Sequence, residues 1–405
     1  MQSGWRIGSL FGIPFYIDLS WFVILFLIAL PTASNWQLRY PEWSVSTVYL
    51  SAFAMALLFF GSVLLHELGH SLVALSQGIK VTSIKLFLFG GVASIERESK
   101  TPGKAFQVAI AGPAVSLVLA LLLALFANVS PGVNTPINVI AQYLATTNLI
   151  LALFNLLPGL PLDGGQVVKA AVWKATGSRF KGVRWAARAG SVLGWSAIAL
   201  GGFSLLSGAS NGLWFMLLGW FGIQNAGGYD RMTEMQETLL SLKASDAMTR
   251  EFRVVDANMT LREFADKYLL LAAQPEVYFA SSDGRYRGLV ASDDLQSVER
   301  SRWERETLAP IIHPLDTIAT VEEATPLATV IQQLETDASR RMTVLSPAGA
   351  VSGVIDRGDI VRALTQKLKM PITDSLIKQI KEDGTYPPGF QIAALAQSAI
   401  EAAEK

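Results

Sequence analysis

Leu65-His66-Glu67-Leu68-Gly69-His70-Ser71 closes an apolar run over residues 45–75, and the place of that heptapeptide within the run decides how the chain is read. A helix that crosses a membrane needs about 20 mostly apolar residues, and the run is longer than that. In a helix, residues four apart fall about 40° from one another, so His66 and His70 point the same way one turn apart. That spacing lets two imidazoles share one Zn²⁺ at about 2.0–2.1 Å, with Glu67 beside the pair where it can accept a proton from water. The same pattern occurs by chance in soluble proteins. Within a membrane helix, two histidines and a glutamate without a metal would be three costly unpaired polar groups, which favours the metal reading.

Two histidines leave a ligand position to fill. The chain has no Cys and 3 His, so thiolate ligands, disulfides and cysteine nucleophiles are excluded, and His313 lies far away in charged sequence. A carboxylate should complete the set. The fourth apolar run ends in Asn155-Leu156-Leu157-Pro158-Gly159-Leu160-Pro161-Leu162-Asp163-Gly164-Gly165, and Asp163 is the only acid between Lys104 and Asp230. Asp-Gly is also an ordinary turn dipeptide. Two crossings separate His70 from Asp163, which returns both to one side of the membrane. The prolines and glycines around Asp163 would open the helix end and swing its carboxylate toward the metal.

Six apolar runs fit a span: 13–31, 45–75, 105–127, 137–157, 187–206 and 213–226. The last is short and counts only if 208–212 makes a tight turn. The segment before the first run holds only Arg6 and Asp18 as charges and no clear cleavage pattern follows, so a removed signal peptide is not expected. Lys80, Lys85, Arg97, Lys100 and Lys104 fall between the second and third runs, and Lys169, Lys174, Arg179, Lys181 and Arg184 between the fourth and fifth. Cytoplasmic loops carry the excess of Lys and Arg, so both loops should be cytoplasmic. The uncharged loops 128–136 and 207–212 suit the far side. Both termini are then expected in the cytoplasm, the weakly charged 35–43 being the one loop that does not support the rule.

Only 16% of the 405 residues are charged, against about 25% in an ordinary soluble domain. That deficit argues against one soluble globule. It ends near Asn225-Ala226-Gly227-Gly228-Tyr229, after which the sequence has ordinary mixed character. Lys+Arg 33 against Asp+Glu 33 leaves no basic field for nucleic acid.

The second half repeats with a period of about 65 residues, right for two small domains. One copy reads as short strands at 252–255, 277–280 and 288–290 with helices at 261–271 and from Asp293. The other has strands at 318–320, 342–345 and 351–355 with helices at 326–335 and from Gly358. The expected domains are 1–230, 242–300, 306–368 and a tail, 369–405, partly ordered at best.

His66-Glu67-Leu68-Gly69-His70 together with Asn155 and the Pro158/Pro161/Leu162-Asp163-Gly164 stretch resembles the site-2 protease family of intramembrane zinc metalloproteases. The resemblance covers roughly residues 7–226. It implies one Zn²⁺ per chain on His66, His70 and Asp163, Glu67 as general base and acid, and Asn155 as a polar group close to the scissile carbonyl or tetrahedral intermediate. The substrate would be a membrane-spanning protein, cleaved by regulated intramembrane proteolysis. Residues 84–95, with Phe89-Gly90-Gly91, look like the family's membrane-reentrant segment; a plain hairpin turn and a substrate-pairing strand both fit. Ala111-Gly112-Pro113 also matches the family, and small residues there serve helix packing equally well.

The repeat resembles a tandem pair of cystathionine-β-synthase-type (CBS) modules. The likeness rests on Ser245-Asp246-Ala247-Met248-Thr249, Gly288-Leu289-Val290 before Asp294-Leu295, and Gly353-Val354-Ile355 before Asp359-Ile360. It implies an adenosine nucleotide with Asp294 or Asp359 on ribose hydroxyls. Three residues earlier, where the family commonly has Thr or Ser, this chain has Ala291 and Asp356, and an Asp repels phosphate. A dimerisation module, giving a homodimer, or a cover for the cytoplasmic mouth is the other reading of the pair. The expected fold is thus an α-helical polytopic membrane domain of about six spans followed by an α+β tandem CBS-type pair. A CBS-regulated channel or transporter is the competing function, but it would carry polar groups along several spans, whereas here they concentrate at the metal motif. A dead protease scaffold would be expected to have lost a ligand or the base, and all four are present.

Overall fold

The computed structural model describes residues 4–88, 90–130, 132, 134–209, 211–270, 277–387 and 389–403. The chain divides into two compact units, Met1–Arg231 and Met232–Lys405.

The first unit opens with a hairpin, β1 (Trp5–Leu10) and β2 (Ile13–Ile17), ahead of helix α1 (Leu19–Arg39). The first apolar run therefore does not begin as a helix. Ile13, Phe15 and Ile17 are buried while Pro14 and Tyr16 are half-buried, the period-two pattern of a strand. Asp18 then caps α1 by accepting the Ser20 N–H at 3.1 Å. After α2 (Val45–Ser76) a second hairpin, β3 (Val81–Phe87) and β4 (Gly90–Ile95), completes a sheet of order β1-β2-β3-β4, with β2 parallel to β3. The Lys85 Nζ–Asp18 Oδ2 pair, 2.8 Å apart, fastens β3 to the start of α1. Strand β4 is an edge of this sheet.

Helices α3 (Pro102–Val129), α4 (Pro136–Asn155), α5 (Asp163–Thr176), α6 (Arg179–Leu206) and α7 (Gly212–Ser241) follow. Both α3 and α4 begin with Pro at the position where a missing N–H costs nothing. Among the described residues, five helices are long and apolar enough to cross a membrane: α1, α2, α3, α4 and α6. The sixth expected run is the opening part of α7, where the apolar stretch stops at Asn225 and α7 continues as polar sequence. Helix α7 nevertheless packs on α6 backbone to backbone. A Cβ at Gly201 would lie 2.5 Å from the Gly212 carbonyl oxygen, and one at Gly194 would lie 2.7 Å from that of Gly219.

The second unit contains two copies of one pattern. After α8 (Ala244–Ala247), β5 (Phe252–Asp256) leads through α9 (Leu261–Phe264) to β6 (Val277–Ser282), β7 (Arg285–Val290) and β8 (Ile312–His313), in the order β5-β6-β7-β8. Then β9 (Thr320–Glu322), α10 (Leu327–Thr336), β10 (Arg341–Leu345), β11 (Val351–Asp356) and α11 (Arg357–Lys367) form the second copy. In each copy the first strand pairs parallel with the second, which pairs antiparallel with the third. The helix expected over 261–271 is α9 followed by a π-helical turn over Ala265–Leu269, and residue 271 lies outside the described residues. The helix expected from Asp293 is a 3₁₀ turn, Ser292–Ser297.

The tail departs most from expectation. It forms α12 (Asp374–Asp383) and α13 (Ile392–Ala403), although Pro388 of the expected break lies outside the described residues. Ile392 and Ala396 of α13 and Ile380 of α12 join the same buried cluster as Leu327 and Ile331 of α10. Ile392, Ala396 and Ala399 recur on one helical face, so ordering the tail buries an apolar stripe that composition alone conceals.

Candidate metal centre

Helix α2 carries His66, Glu67 and His70 on its last three turns, with both imidazoles buried. Their Nε2 atoms lie 3.3 Å apart. Each ring is turned into place by a hydrogen bond at its other nitrogen. His70 Nδ1 lies 2.7 Å from the Val108 carbonyl oxygen, which can only accept, so His70 carries its proton on Nδ1 and presents a lone pair at Nε2. His66 Nδ1 lies 2.9 Å from the Ser116 hydroxyl oxygen.

Val108 and Ser116 both belong to α3, and α3 comes this close because of two glycines. A Cβ at Gly69 would lie 2.8 Å from Val115 Cγ2 and 3.0 Å from the Ala111 carbonyl oxygen. A Cβ at Gly112 would lie 2.6 Å from His66 Nε2 and closer still to His70 Nε2. Ala111-Gly112-Pro113 therefore does more than pack helices: Gly112 leaves the space the imidazoles use. The orienting partners were missed from the sequence. Ser116 had a usable signal, being the one hydroxyl in α3 and four residues beyond Gly112 on the same face. Val108 had none, since it acts through its backbone.

Asp163 is the first residue of α5, placed by the tight connection 156–162. The Leu160 N–H donates to the Ala186 carbonyl at 3.0 Å, which fastens that connection to α6. Asp163 Oδ2 comes to rest 3.1 Å from His66 Nε2 and 3.3 Å from His70 Nε2. In a tetrahedral zinc site with bonds of about 2.0–2.1 Å, donor atoms lie about 3.3 Å apart, so the three donors fit one such ion. The donor chemistry agrees, with two nitrogens and one carboxylate oxygen. Among the described residues Asp163 has no Lys or Arg ion partner.

Glu67 is half-buried against the edge strand. The Ala93 N–H donates to its carboxylate, and a Cβ at Gly91 would lie 2.6 Å from Glu67 Cγ. Residues 84–95 are thus a hairpin whose outer strand lies along the candidate base; Phe89 of that segment lies outside the described residues. Asn155 ends α4, half-buried, eight residues before Asp163.

Behind the site, Glu98 receives the Lys169 ammonium at 2.5 Å and the Arg179 guanidinium at 2.9 Å. Burial pushes the Glu98 carboxyl up, but Lys169 and Arg179 outweigh it and lower it to about 2. This cluster joins the loop after β4 to α5 and α6.

The other expected contacts sit in the second unit. Asp294 pairs with His313 Nε2 at 2.7 Å on the surface, so the third histidine is engaged by an acid of its own unit. Asp359 is 1% exposed and is met by Lys381 of α12 at 2.6 Å and by Arg362 at 3.4 Å. Asp356 caps α11 by accepting the Asp359 N–H at 2.9 Å.

The model of "Peptidase family M50" matches residues 54–139 and 133–197, which include every residue of the donor set. A Synechocystis sp. protein named as a zinc metalloprotease, sll0528, is 42% identical over 366 residues, 90% of this chain and 96% of that one. The solved site-2 protease from Methanocaldococcus jannaschii is 26% identical with a TM-score of 0.39, covering 56% of this chain and 95% of its own. The CBS domain of a bacterial CNNM/CorC family Mg²⁺ transporter is 17% identical with a TM-score of 0.29, covering 36% of this chain and 86% of its own. With that identity to a zinc metalloprotease relative over nine-tenths of its length, the chain belongs to peptidase family M50, the site-2 proteases, and is a multi-pass membrane zinc metalloendopeptidase.

Proposed function

We propose that the protein hydrolyses peptide bonds in or near transmembrane segments of membrane-bound substrates. The supporting observation is a three-donor set, two histidines on an apolar helix and Asp163 at the head of α5, with Glu67 beside it against the edge strand β4. His66, His70 and Asp163 would hold the zinc. When bound, zinc supplies a Lewis acid that activates water and polarises a carbonyl. Glu67 takes the proton of the attacking water and passes it to the leaving amine. Asn155 contributes its side-chain amide close to the scissile carbonyl, where it stabilises developing negative charge.

A substrate helix must unwind first, because its carbonyls are satisfied internally. Strand β4 offers it a place. In an antiparallel pair alternate residues face away from the partner, and the Ala93 N–H that meets Glu67 marks Gly91, Ala93 and Ile95 as the outward set. An unwound segment added there would regain its backbone hydrogen bonds within reach of Glu67.

The basic loops support cytoplasmic placement of the site and of both termini, and the Glu98 cluster, which ties one such loop to the other, supports a single side for the two. The second unit then serves as a cytoplasmic regulatory or dimerisation module. A nucleotide there would meet half-exposed Asp294 readily, whereas Asp359 would first have to leave Lys381. Cleavage of a transmembrane reporter by purified wild type and Glu67→Gln is the test, with zinc content measured in both. A loss of about 10² to 10⁴ with zinc retained is expected; full cleavage by the variant would sink the mechanism.

A further inference from the structure

Asp163 reaches the histidines from the head of a helix, so its aim depends on how α5 is held about its own axis. Its carboxylate lies about 5 Å from that axis, and a roll of about 10° would carry it about 1 Å. Metal–donor distances tolerate only about 0.2 Å. Close backbone approaches hold α5 near its neighbours. A Cβ at Gly164 would lie 2.3 Å from the Leu156 carbonyl oxygen, and one at Gly182 of α6 would lie 2.5 Å from the Lys169 carbonyl oxygen. Such approaches set how near the helices lie; a side chain gripped on a second face sets the roll.

Lys169 is that side chain. Six residues after Asp163, it stands about 9 Å further along α5 and about 120° around it. It is 5% exposed, and its ammonium donates to Glu98 Oε2 and, at 3.1 Å, to Gln166 Oε1. Arg179, the first residue of α6, meets the same Glu98 oxygen. One carboxylate from outside the helix pair thus clamps α5 to α6. The loop that carries Glu98 is itself fastened on both sides of it. The Glu96 N–H donates to the Lys80 carbonyl at 2.9 Å, and the Ser99 hydroxyl donates to Gln77 Oε1 at 2.9 Å. Gln77 caps the C-terminal end of α2, the helix of His66 and His70, and its Nε2 donates to the Lys104 carbonyl at 3.0 Å. A second path therefore joins the two helices that supply the donors, running from the end of α2 through Gln77, Ser99, Glu98 and Lys169 to α5.

We propose that Glu98 is a positioning residue for Asp163: through Lys169 it fixes the roll of α5 against the end of α2, and with it the spacing of the three metal donors. The clamp lies outside the five apolar helices, and Glu98 is half-exposed, so its charge can be removed without opening a core. Lys169 is enclosed, and losing Glu98 alone leaves an ammonium with one neutral partner.

The inference rests on His66, His70 and Asp163 as zinc donors. The experiment compares the full chain in detergent as wild type, Glu98→Gln, Lys169→Met and the double variant. Three quantities are read: zinc affinity by competition with a chelator, the visible absorption spectrum of the cobalt-loaded protein, and thermal unfolding of the metal-free protein. Each single change is expected to weaken zinc binding about 10-fold, and to alter the cobalt bands, whose intensity follows coordination geometry. Glu98→Gln should also melt below wild type. In the double variant no enclosed ammonium remains, so melting should return toward wild type while zinc affinity stays about 10-fold down, no weaker than the worse single. A merely structural clamp would give the opposite: zinc affinity and cobalt bands would recover together with melting, and that result overturns the proposal. Losses that add in the double variant would overturn it as well. Absence of stoichiometric zinc from wild type would overturn the metal centre and the clamp with it, whereas unchanged zinc binding in both single variants would overturn the clamp alone.

Discussion

In the first unit Asp163 lies 3.1 and 3.3 Å from two imidazole nitrogens, and among the described residues it meets no Lys or Arg; in the second unit Asp359 is enclosed with Lys381 at 2.6 Å and Arg362 at 3.4 Å. Both are acids in the first turn of a helix, Asp359 enclosed and Asp163 half-buried. What differs is the source of the compensating charge. Asp359 is neutralised by its own chain, so it closes a structure. Asp163 instead faces two imidazole nitrogens, and the three atoms are spaced as donors to one metal ion would be. Counting protein cations around a buried acid thus separates a fastening from a site.

Four measurements test whether the two acids differ in this way. Asp163→Ala should remove stoichiometric zinc and lower reporter cleavage by about 10³ or more, read by metal analysis beside the cleavage assay. Retained zinc would remove Asp163 from the donor set. Lys381→Met should leave zinc content and cleavage intact and destabilise the second unit by about 2–3 kcal/mol, less than a fully enclosed pair because Lys381 is partly exposed. A denaturant titration followed by probes in that unit measures it. Gly112→Ala should weaken zinc binding about 10- to 100-fold by displacing both imidazoles, with little change in the unfolding of the second unit.

The smallest effect is on pH dependence. Burial, together with the charge of Asp356, raises the Asp359 carboxyl from its ordinary value to about 6, against the pull of Lys381 and Arg362. The folded unit therefore binds the proton more tightly than the unfolded chain. Its stability is fully present below about pH 4 and is lost as pH rises through about 6, on the order of 2 kcal/mol. Stability of wild type relative to Asp359→Asn, followed from pH 4 to 7, should fall accordingly. A flat difference would show that the pull of Lys381 and Arg362 cancels the effect of burial and Asp356 on this carboxyl.

Much of the metal centre was legible in the sequence because its chemistry is local. Two histidines one turn apart must share a helix face, and with no Cys and one isolated acid in the apolar region few other donors existed. The apolar runs likewise announced membrane helices, since length and composition suffice for that. Partners that act across the fold were less visible. Residues 13–17 became a strand because β3 lay alongside to pair with it, which hydropathy cannot report. The tail became two helices because α10 offered a face for Ile392 and Ala396. Asp359, read as a ribose contact, is covered because α12 folds back and brings Lys381 to it. The Val108 carbonyl orients His70 although any residue there would have supplied the same oxygen.

Residue type and spacing along one helix are enough to name the atoms that could hold a metal and the segments that suit a bilayer. How those atoms are aimed, and which acids are closed by a neighbouring cation, emerges when the elements pack. Those outcomes depend on distances between elements far apart in the chain, and such distances are set by packing.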